Sequence, residues 1–247
     1  MKKLKESLLN KTFQLIKENP SKFLYTLLFD SLFILLITVI NNLSYMVIPQ
    51  DPAAIQALPQ SQLISVFVFF PLYLLLSLII YSTFKYFILN KIVPLFKKKE
   101  AGMNHLSRFY LLNFLIFLAY LVIFIIITTI YSSTIKPEYM RLVYILTVIP
   151  FTIISYLFLN IAHTIFITKP EIKSTLIKSY NITFKKFKQF IPVILVSISV
   201  YLSSVLIFFI SISLSLQQIY VQIISLILFY LMIAFNRIYI FKIINTE

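Results

Sequence analysis

One carboxylate, Asp30, lies within the long apolar segments of this chain, and the side chains able to answer it sit at a matching depth. Asp30 is about eight residues past Lys22, roughly 12 Å along a helix at ~1.5 Å per residue. That falls short of the midplane of a ~30 Å hydrocarbon core. Two cations share this depth, Lys85 near the end of the second apolar segment and Arg237 near the end of the sixth. Charges in a bilayer are costly and mark functional sites unless paired. The sequence suggests an Asp30–Lys85 pair across the first hairpin, with Arg237 as the competing partner. Asn113, Asn160, His163 and Asn236 fall at a similar depth. Asn160 and His163 are three residues apart and share a helix face. Turned inward, the seven side chains form a polar cluster in the cytosolic third of the bundle, suited to a substrate or proton site. The competing reading is a hydrogen-bonded packing network, with the lysine and arginine reaching for headgroups. His163 taken singly reads as an interfacial histidine, because a metal site needs partners that the chain scarcely offers.

Other catalytic sets are missing. With no cysteine there is no thiolate nucleophile, disulfide or cysteine metal site, and one glycine excludes a glycine-rich phosphate loop. Neither Gly-x-Ser-x-Gly nor His-Glu-x-x-His occurs. The spans hold no aspartate pair for an acid protease dyad. The expectation is a non-enzyme without cofactor or metal.

The elements that must position these residues are membrane helices. Apolar residues make up 60% of the chain and charged residues 12%, about half the charge a soluble domain carries. Segments of roughly 20 apolar residues, enough to span, run from about Phe23 to Leu43, Leu63 to Leu89, Phe109 to Tyr131, Met140 to Phe166, Phe190 to Leu214 and Ile219 to Tyr239. Runs such as Phe114 to Ile127 are apolar on every side, which rules against the alternation of a membrane barrel. The expected class is an all-α polytopic protein with six transmembrane helices. The first apolar run outlasts a signal peptide, so the first span is expected to be retained. With no tryptophan and a single glycine, tyrosine must form the interfacial belt, Ser, Ala and Thr must provide close helix contacts, and Pro71 and Pro150 any bends.

Lysine and arginine set the orientation. Twenty of the 22 lie in or beside the N-terminal segment, the second and fourth connections and the tail, while Lys136 and Arg141 stand opposite. The positive-inside rule therefore places both termini in the cytosol of a cell membrane. The net charge of +14 is concentrated on that face, where anionic lipid headgroups rather than nucleic acid are the first partners met. The expected organisation is one transmembrane domain: an amphipathic arm over 1–22, a hairpin over 23–89, a basic loop over 90–108, a second hairpin over 109–166, an amphipathic loop over 167–189, a third hairpin over 190–239 and a tail over 240–247.

A repeat runs through this layout. Asn10-Lys-Thr-Phe-Gln-Leu-Ile-Lys-Glu18 matches Asn181-Ile-Thr-Phe-Lys-Lys-Phe-Lys-Gln189 at Asn, Thr, Phe and the later Lys, and each precedes a proline, Pro20 or Pro192, and a hairpin. The pattern is three units of basic arm plus helical hairpin, with coincidence in a low-complexity apolar sequence as the alternative. In the third arm Ile172, Leu176, Ile177, Tyr180, Phe184 and Phe187 gather on one face. In the first arm Leu4, Leu8, Leu9, Phe13, Leu15 and Ile16 do the same. Such helices lie in the interface, apolar side down, as anchors or as surfaces for lipid or a cytosolic partner.

On Asn10 to Pro20, Asn181 to Pro192 and the overall layout, the chain resembles uncharacterised prokaryotic proteins akin to the membrane domain attached to some glycerophosphodiester phosphodiesterases. The catalytic barrel of those enzymes has no counterpart here, so the resemblance implies a membrane domain and no phosphodiesterase activity. Two functions stay in play. One is a non-enzymatic accessory or lipid-interacting membrane protein. The other is a transporter or permease subunit whose basic loops dock a separate ATPase.

Overall fold

The computed structural model describes residues 8–45, 59–96, 102–134, 137–213 and 218–245. Among them the chain forms eight α-helices and no strand: α1 Leu8–Glu18, α2 Pro20–Tyr45, α3 Gln60–Ile92, α4 Leu106–Thr134, α5 Pro137–Thr168, α6 Ile172–Lys185, α7 Ile191–Ser213 and α8 Gln218–Asn245. Short 3₁₀ turns at Val93–Phe96, Met103–His105 and Phe187–Phe190 connect them. Helices α2, α3, α4, α5, α7 and α8 are each long and apolar enough to cross a membrane. The protein is thus an all-α polytopic membrane protein.

Proline marks the entries. Pro20 opens α2, and Pro192 sits in the first turn of α7, where a missing N–H costs nothing and the fixed φ suits a helix. Pro71 and Pro150 lie inside α3 and α5 without ending either helix.

The six spans divide at mid-length. Next to α1, α6 and the turns at Val93–Phe96 and Met103–His105, at what we term the arm end, they are tightly packed. One buried cluster centres on Tyr86, Leu89, Ile92, Phe109, Phe166 and Phe241. A second centres on Leu157, Ile161, Phe190, Phe235 and Ile240. The opposite, or loop, end is open. On α4 the successive residues Leu121, Val122, Ile123, Phe124, Ile125 and Ile126 are all exposed. Six consecutive exposed positions cover every side of a helix, so this part of α4 faces lipid all round.

The arms follow one placement rule. Helix α1 packs on α8, the second helix of the third hairpin. Helix α6 packs on α5, the second helix of the second hairpin. In the middle connection, the Gly102 carbonyl accepts a hydrogen bond of 2.7 Å from Tyr86 of α3, the second helix of the first hairpin. Each connecting segment therefore lies on the second helix of one hairpin and leads into the next, in cyclic order. The repeated motif shares its environment too. Thr12 and Thr183 are fully buried, and each donates its hydroxyl to the carbonyl four residues back, Leu8 or Ser179. The phenylalanines that follow them, Phe13 and Phe184, are 56% and 53% exposed.

The buried face of α6 differs from the expected one. Thr175, Ser179 and Thr183, spaced by four, are buried, while Ile177, Tyr180, Phe184 and Phe187 are exposed. Ile172 and Leu176 leave the apolar stripe to pack against the first buried cluster. Ser179 and Thr183 bond carbonyls of their own helix, while the Thr175 hydroxyl has no partner. Side chains this small let two backbones approach closely, which accounts for their burial where α6 packs on α5. In α1, Leu8 and Ile16 pack against the second cluster; Leu4 and the Leu9 side chain lie outside the described residues.

Candidate functional site

The site is built one helical turn at a time. Lys85 lies seven residues before the end of α3 and Arg237 eight before the end of α8, so both sit roughly 10–12 Å from the arm end at ~1.5 Å per residue. Asp30, on the oppositely directed α2, meets them at the same level. The three charged groups, with Asn160 of α5, line one cavity of about 310 Å³ where four spans meet. Tyr81 and Tyr156, each one turn from Lys85 and Asn160, also line it, as do Phe33, Phe84, Phe229 and Ile233.

Arg237 donates from both terminal nitrogens to the Asp30 carboxylate, at 3.0 and 2.9 Å. This fork-to-fork pair is buried, with Arg237 only 4% exposed, and a bidentate guanidinium is the cation best shaped for it. Arg237 Nε has no hydrogen-bond partner. Lys85 is equally deep, at 8% exposure. Its Nζ donates to Asn160 Oδ1 at 2.8 Å, a neutral acceptor. Among the described residues Asp30 is the one buried acid, so two basic side chains stand against one carboxylate.

The expected Asp30–Lys85 pair is thus replaced by Asp30–Arg237. The contact crosses 207 positions of sequence and joins the first and third hairpins. Hairpin geometry favoured the nearer lysine; α2–α8 packing and the two-pronged geometry of arginine decide otherwise.

The remaining members of the predicted cluster lie elsewhere. Asn113 of α4 donates to Ser82 Oγ of α3 at 3.0 Å and accepts from His163 Nε2 of α5 at 2.5 Å. Its carbonyl oxygen can only accept, so the imidazole proton there is on Nε2; Nδ1 has no partner. His163 is fully buried and packs against the rings of Tyr81 and Phe109. It is an interior residue tying three helices together, not an interfacial one. Asn236 forms a third group, donating to Ser197 Oγ of α7 at 2.9 Å and to Tyr156 Oη at 3.4 Å. Its carbonyl oxygen is unpartnered. The predicted single cluster is therefore three adjoining networks at one depth, of which the cavity holds Asp30, Lys85, Asn160 and Arg237.

Sequence reasoning missed Ser82, Ser197, Tyr81 and Tyr156. The two tyrosines were legible, each four residues from a polar member of the cluster. The serines look like every other serine in these spans and are picked out by their asparagine partners alone. Among the described residues no three His, Asp or Glu side chains stand close enough to hold a metal ion. Comparisons with protein-family models, curated proteins and solved structures returned no significant match.

Proposed function

We propose that this protein is a non-enzymatic, lipid-interacting membrane protein whose arms work at the cytosolic face of the cell membrane, with both termini on that side. The observation that carries the reading is the two-faced packing of α6. Its hydroxyl stripe is used up on α5, and Ile177, Tyr180 and Phe184 point away from the protein beside the exposed Lys178 and Lys185. An apolar stripe flanked by lysines is the composition of a helix lying at the boundary of acyl chains and anionic headgroups. In α1, Phe13 is also exposed on one side, although its ring meets Phe235 of α8 at 5.1 Å.

The natural lack of cysteine makes the test clean. Single cysteines at 178 and 180, spin-labelled in the full chain in bilayers, should report different depths. The label at 180 is expected in the oxygen-rich acyl boundary and the label at 178 in water. Equal water exposure of both would sink the proposal. A second reading, a permease subunit coupled to a separate ATPase, draws on the charged cavity between hairpins. Recovery of a stoichiometric ATPase on gentle purification from native membranes would favour it.

A further inference from the structure

The cavity sets two basic side chains, Lys85 and Arg237, against one carboxylate, Asp30. Asp30 is consumed by both prongs of Arg237, and Lys85, buried at the same level, has an amide oxygen and no carboxylate as its hydrogen-bond acceptor. A dipole does not cancel a charge, and an isolated ammonium in a low-dielectric interior is strongly disfavoured. Lys85 and Arg237, whose buried Nε has no partner, both line that cavity.

We propose that this cavity binds one singly charged oxyanion, a carboxylate or a phosphodiester, carried on an apolar chain. The oxyanion answers Lys85, and charge-assisted hydrogen bonds of this kind are about twice as strong as neutral ones. The apolar chain is required by the walls. On α2 and α8 the residues one to two turns towards the membrane centre, Phe33, Ile34, Phe229 and Ile233, are apolar. A small inorganic anion would meet the charge and leave those walls empty. The depth agrees as well, since the charged layer lies roughly 10–12 Å from the arm ends of the helices. An amphiphile settled there keeps its tail in the hydrocarbon. The inference rests on the lipid-interacting reading only in making lipid the medium from which the ligand comes.

The test is retention by purified, delipidated full-length protein in a neutral detergent, using three labelled probes: oleate, phosphatidylglycerol and zwitterionic phosphatidylcholine. The wild type and Lys85→Arg are expected to retain oleate, phosphatidylglycerol or both. Lys85→Gln and Asn160→Asp should retain at least tenfold less. Asn160→Asp matters because it places an internal carboxylate on Lys85 at nearly unchanged shape. Monodisperse elution and an unchanged melting temperature exclude misfolding as the cause of its loss. Retention of oleate alone identifies a free carboxylate amphiphile, and of phosphatidylglycerol alone a phosphodiester lipid. The proposal is overturned if the wild type retains no probe, if phosphatidylcholine is held equally well, or if Asn160→Asp binds like the wild type. Failure here leaves the depth of the label at 180 untouched, and failure of the arm measurement leaves retention untouched, so the two readings fall separately.

Discussion

The two ends of the helix bundle are made of nearly the same residues and behave differently. At the loop end, α4 presents Phe124 and its neighbours to lipid on all sides. At the arm end of the same helix, Phe109 and Leu112 are completely buried, and Asn113 bonds to two other helices. Hydrophobicity cannot separate these ends, because in lipid an exposed phenylalanine is as well solvated as a buried one. What separates them is polar content. Asp30, Ser82, Lys85, Asn113, Asn160, His163 and Asn236 with Arg237 all lie towards the arm end, where groups that cannot be left in hydrocarbon force helices together. Towards the loop end Tyr73 donates to Asn41 Oδ1 between α2 and α3, and at mid-length Tyr120 donates to the Ser155 carbonyl at 3.1 Å.

If that account is right, the largest loss comes from breaking the buried Asp30–Arg237 ion pair. Asp30→Asn leaves Arg237 uncompensated and should cost about 3–5 kcal/mol, measured as unfolding free energy in mixed micelles. The exchange Asp30→Arg with Arg237→Asp should recover part of it, because the pair is re-formed. Next comes packing. Phe109→Ala should cost about 3–5 kcal/mol, while Phe124→Ala, at the lipid-facing end of the same helix, should stay within about 0.5 kcal/mol of wild type. Similar losses at both positions would remove the distinction between the two ends. Smaller again is the Asn113–His163 contact. A double-mutant cycle with leucine at both positions should return a coupling of about 0.6 kcal/mol, the usual size for interhelical hydrogen bonds in membranes. A value near zero would mean that packing, not polar ties, closes the arm end.

The smallest effect should come from the single glycine. Gly102 has φ −60° and open space where a Cβ would stand. The Tyr86 bond uses its carbonyl, which any residue supplies. Gly102→Ala should leave the melting temperature unchanged within error, even though it is the only glycine in the chain.

Much of this molecule is legible in its sequence. Six spans follow from length and apolarity alone, because a bilayer demands that backbone groups bond within each segment. The depth of the polar residues also follows, since position along a helix is a count of residues at a fixed rise. The Thr-Phe pair shared by the first and third arms is also visible in the sequence, and in both arms the threonine is buried and the phenylalanine exposed. Tertiary structure alone decided which polar groups meet. Depth is one coordinate; rotation about each helix axis and the order of helices around the bundle are two more, and an apolar sequence with no strong moment leaves both open. Asp30 could therefore be assigned a level but not a partner. Likewise α6 displayed a clear apolar stripe, yet the stripe turned towards the protein was the one that let two backbones approach.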